Sequence, residues 1–196
     1  MTDYTLQPIP GKTLSRRLPE GTALVLEGGG LRGYYSCGVM EAFMEKDLLF
    51  PYIIGVSAGA ANALSYISGQ PGRSREIIEH YVGNPDYVST RNLLTKHTMF
   101  DFDYIFGTVP EKHIFFDWDK FHEQDTRFLT GAMNCADGKT VWFEKDTLKA
   151  PFMASRASCS VPLITKIQHY MGYDLLDGGI SDPIPIEKSL ADGNTF

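Results

Sequence analysis

The chain has 196 residues, 43% of them hydrophobic, with a formal net charge of -6, which is enough apolar material to bury one domain core and the wrong sign of charge for a nucleic-acid surface. Its three cysteines, Cys37, Cys135 and Cys159, are odd in number and form no C-x-x-C pair, which argues against a disulfide framework and a zinc site and fits a reducing compartment. Met1–Thr5 lacks the layout of a signal peptide and no apolar run reaches the roughly 20 residues of a membrane span, so the expectation is a soluble, cytoplasmic protein with no metal or cofactor.

In chain order, Thr2 to Glu20 carries scattered Pro and Gly and no clear period, and reads as an arm (residues 1–20) lying on a domain formed by residues 21–196. Thr22 to Leu26 is a short, partly β-branched apolar run, the first predicted core strand. It ends in Glu27-Gly28-Gly29-Gly30-Leu31-Arg32-Gly33, after which Val39, Met40, Phe43 and Met44 recur at helical spacing and predict an amphipathic helix from about Gly33 to Lys46. Next comes Ile53-Ile54-Gly55-Val56-Ser57-Ala58-Gly59, an apolar strand that turns abruptly into a helix with a serine at the corner. Such a turn forces its central residue towards φ > 0 and needs small neighbours, which Gly55, Ala58 and Gly59 supply. It also lifts the Ser57 hydroxyl clear of the sheet, beside the free N–H groups and positive dipole end of the new helix. A serine nucleophile is presented in this way. Two βα units in succession imply parallel strands and a three-layer α/β fold.

Gly28, Gly30 and Gly33 match G-x-G-x-x-G, so a dinucleotide site has to be weighed. The acidic residue that would hold a ribose at the end of the second strand is missing, because Gly55-Val56-Ser57 takes its place and Glu45 and Asp47 precede that strand. The same glycines would equally expose N–H groups to an oxyanion beside Ser57, or simply permit a tight turn.

Downstream, Ala58–Ser68 and Ser74–Val82 are predicted helices. Tyr87–Phe116 mixes turn residues with Phe100, Phe102, Tyr104, Phe106, Phe115 and Phe116, and reads as helical turns and loops walling a cleft. Asp137-Gly138 marks a hairpin between Phe128–Met133 and Lys139–Phe143. Asp146–Ala157 reads as helix, and Leu163–Gln168 and Tyr173–Leu176 as strands, the last running into Asp177-Gly178-Gly179. In parallel sheets, sites form beyond the carboxyl ends of strands, where Ser57 and Asp177 both fall in this reading.

Four segments together resemble the patatin-like phospholipases: the loop Gly28-Gly29-Gly30-Leu31-Arg32-Gly33, the elbow Gly55-Val56-Ser57-Ala58-Gly59, Ala157-Ser158-Cys159-Ser160-Val161-Pro162, and Asp177-Gly178-Gly179. Each is weak alone; all four in family order are a strong signal. The resemblance, closest to the bacterial branch, implies an α/β/α sandwich around a mainly parallel sheet. It implies Ser57 as nucleophile and Asp177 as base of a dyad, and an oxyanion hole from Gly28, Gly29, Gly30, Arg32 and Gly33. It further implies lipid or other carboxylic esters as substrates, met by transient contact with a lipid surface. Members of that branch usually continue past the point corresponding to Phe196, which implies further core strands beyond it. A histidine triad is not expected: in α/β-hydrolases the histidine follows the acid, whereas His80, His97, His113, His122 and His169 all precede Asp177. The competing readings are a lipid-binding module of the same fold that does no chemistry, and a nucleotide-binding α/β protein.

Overall fold

The structure, a computed structural model, describes residues 8–195; the Met1–Thr5 stretch, the start of the predicted arm and Phe196 lie outside them. Its strands are β1 (Arg16–Arg17), β2 (Ala23–Leu26), β3 (Leu48–Leu49), β4 (Tyr52–Val56), β5 (Arg127–Asn134), β6 (Thr140–Glu144), β7 (Gln168–Tyr170) and β8 (Tyr173–Asp177). Its helices are α1 (Tyr34–Glu45), α2 (Ala58–Ile67), α3 (Arg73–His80), α4 (Thr90–Lys96), α5 (Trp118–Glu123), α6 (Met153–Ser158) and α7 (Ile186–Ala191), with a π-helical segment over Tyr104–His113. The described part of the arm is tied into the domain: β1 pairs in parallel with β3, and Leu14 is buried in the core.

The main sheet has the order β2-β4-β5-β8-β7, with β6 on β5. The expected βαβ units are present, since β2, β4 and β5 are parallel neighbours. The β5/β6, β5/β8 and β7/β8 pairs are antiparallel and extend that parallel core. β4 is buried along its whole length, as its unbroken apolar sequence requires of a strand covered on both faces. With side chains alternating, Ile53 and Phe128 join the large cluster against α1, α2 and α6, while Ile54 and Leu129 pack with Val25 and Trp142 on the other face. α7 lies on that second face beside β2, and Asp192, just past its C-terminus, accepts a hydrogen bond from the Tyr52 hydroxyl at 2.8 Å. The layers are therefore helix, sheet, helix.

One feature of the register places the site. β5 has two edges and three partners. β6 pairs with residues 129–133, overlapping both other partners, and so takes one edge. β4 pairs with residues 127–131 and β8 with residues 132–134, so these two share the opposite edge, end to end. β4 runs up to the junction and β8 runs down to it. The last residue of β4, Val56, is opposite Gly131, and the last of β8, Asp177, is opposite Ala132. Both carboxyl ends meet at one point even though β8 is antiparallel to its neighbour.

Two local expectations are corrected. Asp146–Ala157 is not one helix: a 3₁₀ turn at Lys145–Thr147 is followed by α6 from Met153 only, because Pro151 donates no N–H and pushes Ala150 away from helical geometry. Leu163–Gln168 is not a strand, and only Gln168 reaches β7. Leu163 sits at φ 71 and is 95% exposed. The β7/β8 hairpin has Tyr170 opposite Tyr173, so the two-residue turn between them, Met171-Gly172 with both φ positive, fixes where pairing begins.

Candidate active site

The elbow forms because the sequence leaves it no alternative. β4 ends at Val56, Ser57 adopts φ 51 and ψ -128, and α2 starts at Ala58. A Cβ on Gly59 would lie 2.5 Å from the Leu26 carbonyl oxygen, and one on Gly55 would lie 2.8 Å from the Ala60 nitrogen. Only glycine lets α2 lie this close to the ends of β2 and β4. Gly28 is less tightly constrained: its Cβ would come 3.2 Å from that of Ser57, which would have to give way by a few tenths of an ångström.

Across the strand junction, the Ser57 hydroxyl donates to Asp177 Oδ2 at 2.7 Å, and the residues are 8% and 5% exposed. The other carboxylate oxygen, Oδ1, accepts from the Gly179 N–H at 2.8 Å, which fixes the plane of the group. Gly178 must be glycine, because a Cβ there would come 2.2 Å from the Gly131 carbonyl oxygen. Burial pushes the Asp177 carboxyl above its ordinary range, and the hydrogen bonds from Ser57 and Gly179 offset part of that rise.

Not every loop residue offers a donor. The Gly28 N–H is committed to the Pro183 carbonyl at 3.1 Å, and the Ser57 N–H to Ser158 Oγ at 2.7 Å. Gly33 is a packing glycine: Asn62 donates to its carbonyl at 3.0 Å, and a Cβ would strike that amide. Arg32 is exposed beside Gly29, with no ion pair among the described residues. Among those residues the N–H groups without partners around Ser57 include those of Gly29, Gly30 and Ala58, the last at the amino end of α2. The sequence reading did not single out Ala58 as a donor, or the role of Ser158. The Ser158 hydroxyl accepts from the Ser57 N–H and donates to the Gly131 carbonyl at 2.6 Å, while the Asp177 N–H donates to the Ser160 carbonyl at 2.8 Å. The Ala157–Pro162 motif thus holds both halves of the pair, and that motif was the available signal for it.

Ser57 opens into a cavity of about 190 Å³, walled by Phe100, Phe102, Phe106, Ile77 and Phe152, so the aromatic segment forms the wall expected of it. Leu31 and Val161 line its mouth and are themselves exposed, as is neighbouring Tyr35. The histidines lie elsewhere: His113 packs on Tyr81 and Tyr104, His122 on Trp118, and His169 pairs with Asp174. Among the described residues no cluster of His, Cys, Asp or Glu is placed to hold a metal ion. No helix among them is long and apolar enough to cross a membrane.

An α/β domain with a serine on a strained strand-to-helix turn, bonded to a buried carboxylate beside unpaired N–H groups, defines a class of fold and site. The comparisons give the family: the patatin-like phospholipase model matches residues 24–189, and the chain belongs to that family. It is 29% identical over 193 residues to the uncharacterized protein YjjU of Escherichia coli K12, covering 96% of this chain and 54% of that one. It is 27% identical over 171 residues to the uncharacterized NTE family protein Rv1063c of Mycobacterium tuberculosis H37Rv, covering 84% of this chain and 44% of that one. Among solved structures it is similar to VipD from Legionella pneumophila at 14% identity and a TM-score of 0.46, over 93% of this chain and 51% of that one. The chain spans about half the length of the curated relatives it matches.

Proposed function

We propose that the protein is a serine acyl hydrolase of lipid or other carboxylic esters, working through a Ser57–Asp177 dyad and an acyl-enzyme. The observation that carries this reading is the 2.7 Å hydrogen bond from the Ser57 hydroxyl to a buried carboxylate at the mouth of an apolar cavity. Asp177 Oδ2 takes the hydroxyl proton as Ser57 Oγ bonds to the ester carbonyl carbon, and the carbonyl electron pair moves onto oxygen. The N–H groups of Gly29, Gly30 and Ala58 receive that oxyanion; a single donor of this kind is typically worth about 3 kcal/mol of barrier. Collapse breaks the bond to the alcohol oxygen, which leaves with the proton held by Asp177. Water then gives a proton to Asp177 as it attacks the acyl carbon, and collapse returns the proton to Ser57 Oγ and releases the carboxylic acid. The exposed apolar side chains at the cavity mouth suit brief contact with a lipid surface, and the net charge of -6 does not suit nucleic acid.

A binding module of the same fold would have no use for a carboxylate aimed at the serine. The deciding experiment combines a p-nitrophenyl butyrate assay with labelling by an alkyl fluorophosphonate and peptide mass spectrometry. Hydrolysis that is lost in Ser57→Ala, with the adduct on Ser57, is expected. An adduct on Ser155, Ser158 or Ser160, or a folded protein with neither label nor turnover, overturns the reading.

A further inference from the structure

The same cavity contains a charge that the chemistry above does not use. Arg73, the first residue of α3, lines it and is 5% exposed. Its guanidinium has five N–H donors but makes two hydrogen bonds, Nη1 to Ser65 Oγ at 3.0 Å and Nη2 to the Ile114 carbonyl at 3.4 Å. The Nε–H is buried with no partner. No carboxylate lies within ion-pairing distance among the described residues; the guanidinium instead stands 5.1 Å over the Phe116 ring. Burial lowers its pKa to about 10, which leaves it charged at neutral pH. The helix dipole does not favour it there either, since a cation in the first turn of a helix opposes the dipole. Buried charges are ordinarily paired, and an arginine held in an apolar wall with open donors is built for a carboxylate or phosphate.

We propose that Arg73 is the anion receptor of this cavity, so that the preferred ester carries a carboxylate or phosphate on the portion that fills it. This rests on the acyl hydrolase reading, and it narrows the substrate class from esters in general to anionic ones. The geometry sets the reach: Ser65 lies eight residues beyond Ser57 along α2, about 12 Å at 1.5 Å per residue. A chain of about eight carbons is of the same order as that rise, which sets the length of the test ligands.

Two matched pairs separate the sources of the anion. p-Nitrophenyl octanoate against mono-p-nitrophenyl suberate, corrected for spontaneous hydrolysis, tests a charge on the acyl end. Monobutyrylglycerol against its 3-phosphate tests a charge on the alcohol. The full chain is expected to prefer the anionic member of one pair by at least tenfold in kcat/KM. Arg73→Met should reduce that preference at least tenfold, and Arg73→Lys should restore part of it. Calorimetric titration of Ser57→Ala with suberate against octanoate, and glycerol 3-phosphate against glycerol, reads binding without turnover. No anionic preference in either pair overturns the proposal, as does a preference that survives Arg73→Met. If Arg73→Met does not fold, the wild-type preference and the Arg73→Lys value decide by the same criteria. Arg73-dependent binding of suberate or glycerol 3-phosphate without hydrolysis of any ester would sink the hydrolase reading and support the anion site.

Discussion

Asp177 is a carboxyl group kept where its charge is least favoured. Its pKa is raised by burial, so the folded state prefers the protonated form: the group's contribution to stability is present below the unfolded value near 3.8 and is lost as pH rises through the raised folded value. The ionised form of Asp177 therefore works against folding while serving as the proposed base. Asp177→Asn is expected to lower turnover by about 10²–10⁴-fold, the usual contribution of a general base, and yet to match or exceed the wild type in thermal stability at pH 7, a difference that vanishes below pH 3.8. The acid limb of the wild-type kcat/KM profile should lie above the ordinary carboxylate range, and His169→Ala or His113→Ala should leave it in place. A folded histidine variant as inactive as Ser57→Ala would remove the dyad from consideration. Ser57 and Asp177 were legible in the sequence because each stands among glycines whose only use is close approach. Ser158 was not, because a hydroxyl bridging one N–H and one carbonyl leaves no pattern beyond its own small motif.

At the scale of elements, the elbow depends on how closely α2 approaches β2. Gly59→Ala would put a methyl group 2.5 Å from the Leu26 carbonyl and 2.6 Å from that of Glu27, both rigid backbone. Relief requires α2 to move off the strand, carrying Ser57 away from Asp177. Calorimetric melting should show a loss of about 1–3 kcal/mol, the usual cost of overpacking, and turnover should fall further than the stability does. Full activity at wild-type stability would mean that the helix seat is soft. The elements themselves were partly legible. β2, β4 and α2 announced themselves by apolar runs broken by glycine, and the β5/β6 hairpin by Asp137-Gly138. The β7/β8 hairpin was less visible, because its turn uses Met171 at φ 50, a residue type that does not advertise a left-handed conformation. The antiparallel direction of β8 was hidden as well, since strand sequences carry burial and not direction.

For the molecule as a whole, the proposed function raises the question of how a buried serine would meet an insoluble ester. The cavity, at about 190 Å³, is below the roughly 300–1,000 Å³ of pockets that engulf drug-sized ligands, so on the proposed function only part of a lipid would enter and the rest would stay outside. Leu31, Tyr35 and Val161 offer apolar contact at the mouth, but among the described residues no basic amphipathic helix adds an electrostatic anchor. Co-flotation with phosphatidylglycerol-containing vesicles at moderate salt should recover only a minor fraction of the protein, while turnover of short-chain esters should rise when vesicles or micelles are present. Stable recovery in the lipid fraction would contradict this.

The end-to-end meeting of β4 and β8 along β5 has a consequence in time as well as in space. Ser57 and Asp177 are 120 positions apart, and closing a loop of that length costs about 4 kcal/mol in its length-dependent part. That cost is met only when β8 docks on the far half of β5. A chain still emerging from the ribosome carries its elbow, its glycine loop and its helix long before it carries Asp177. Ser57 lacks its carboxylate partner throughout that interval, so on the proposed mechanism a half-made copy carries no complete dyad. The split edge of one strand thus ties assembly of the Ser57–Asp177 pair to the completion of folding.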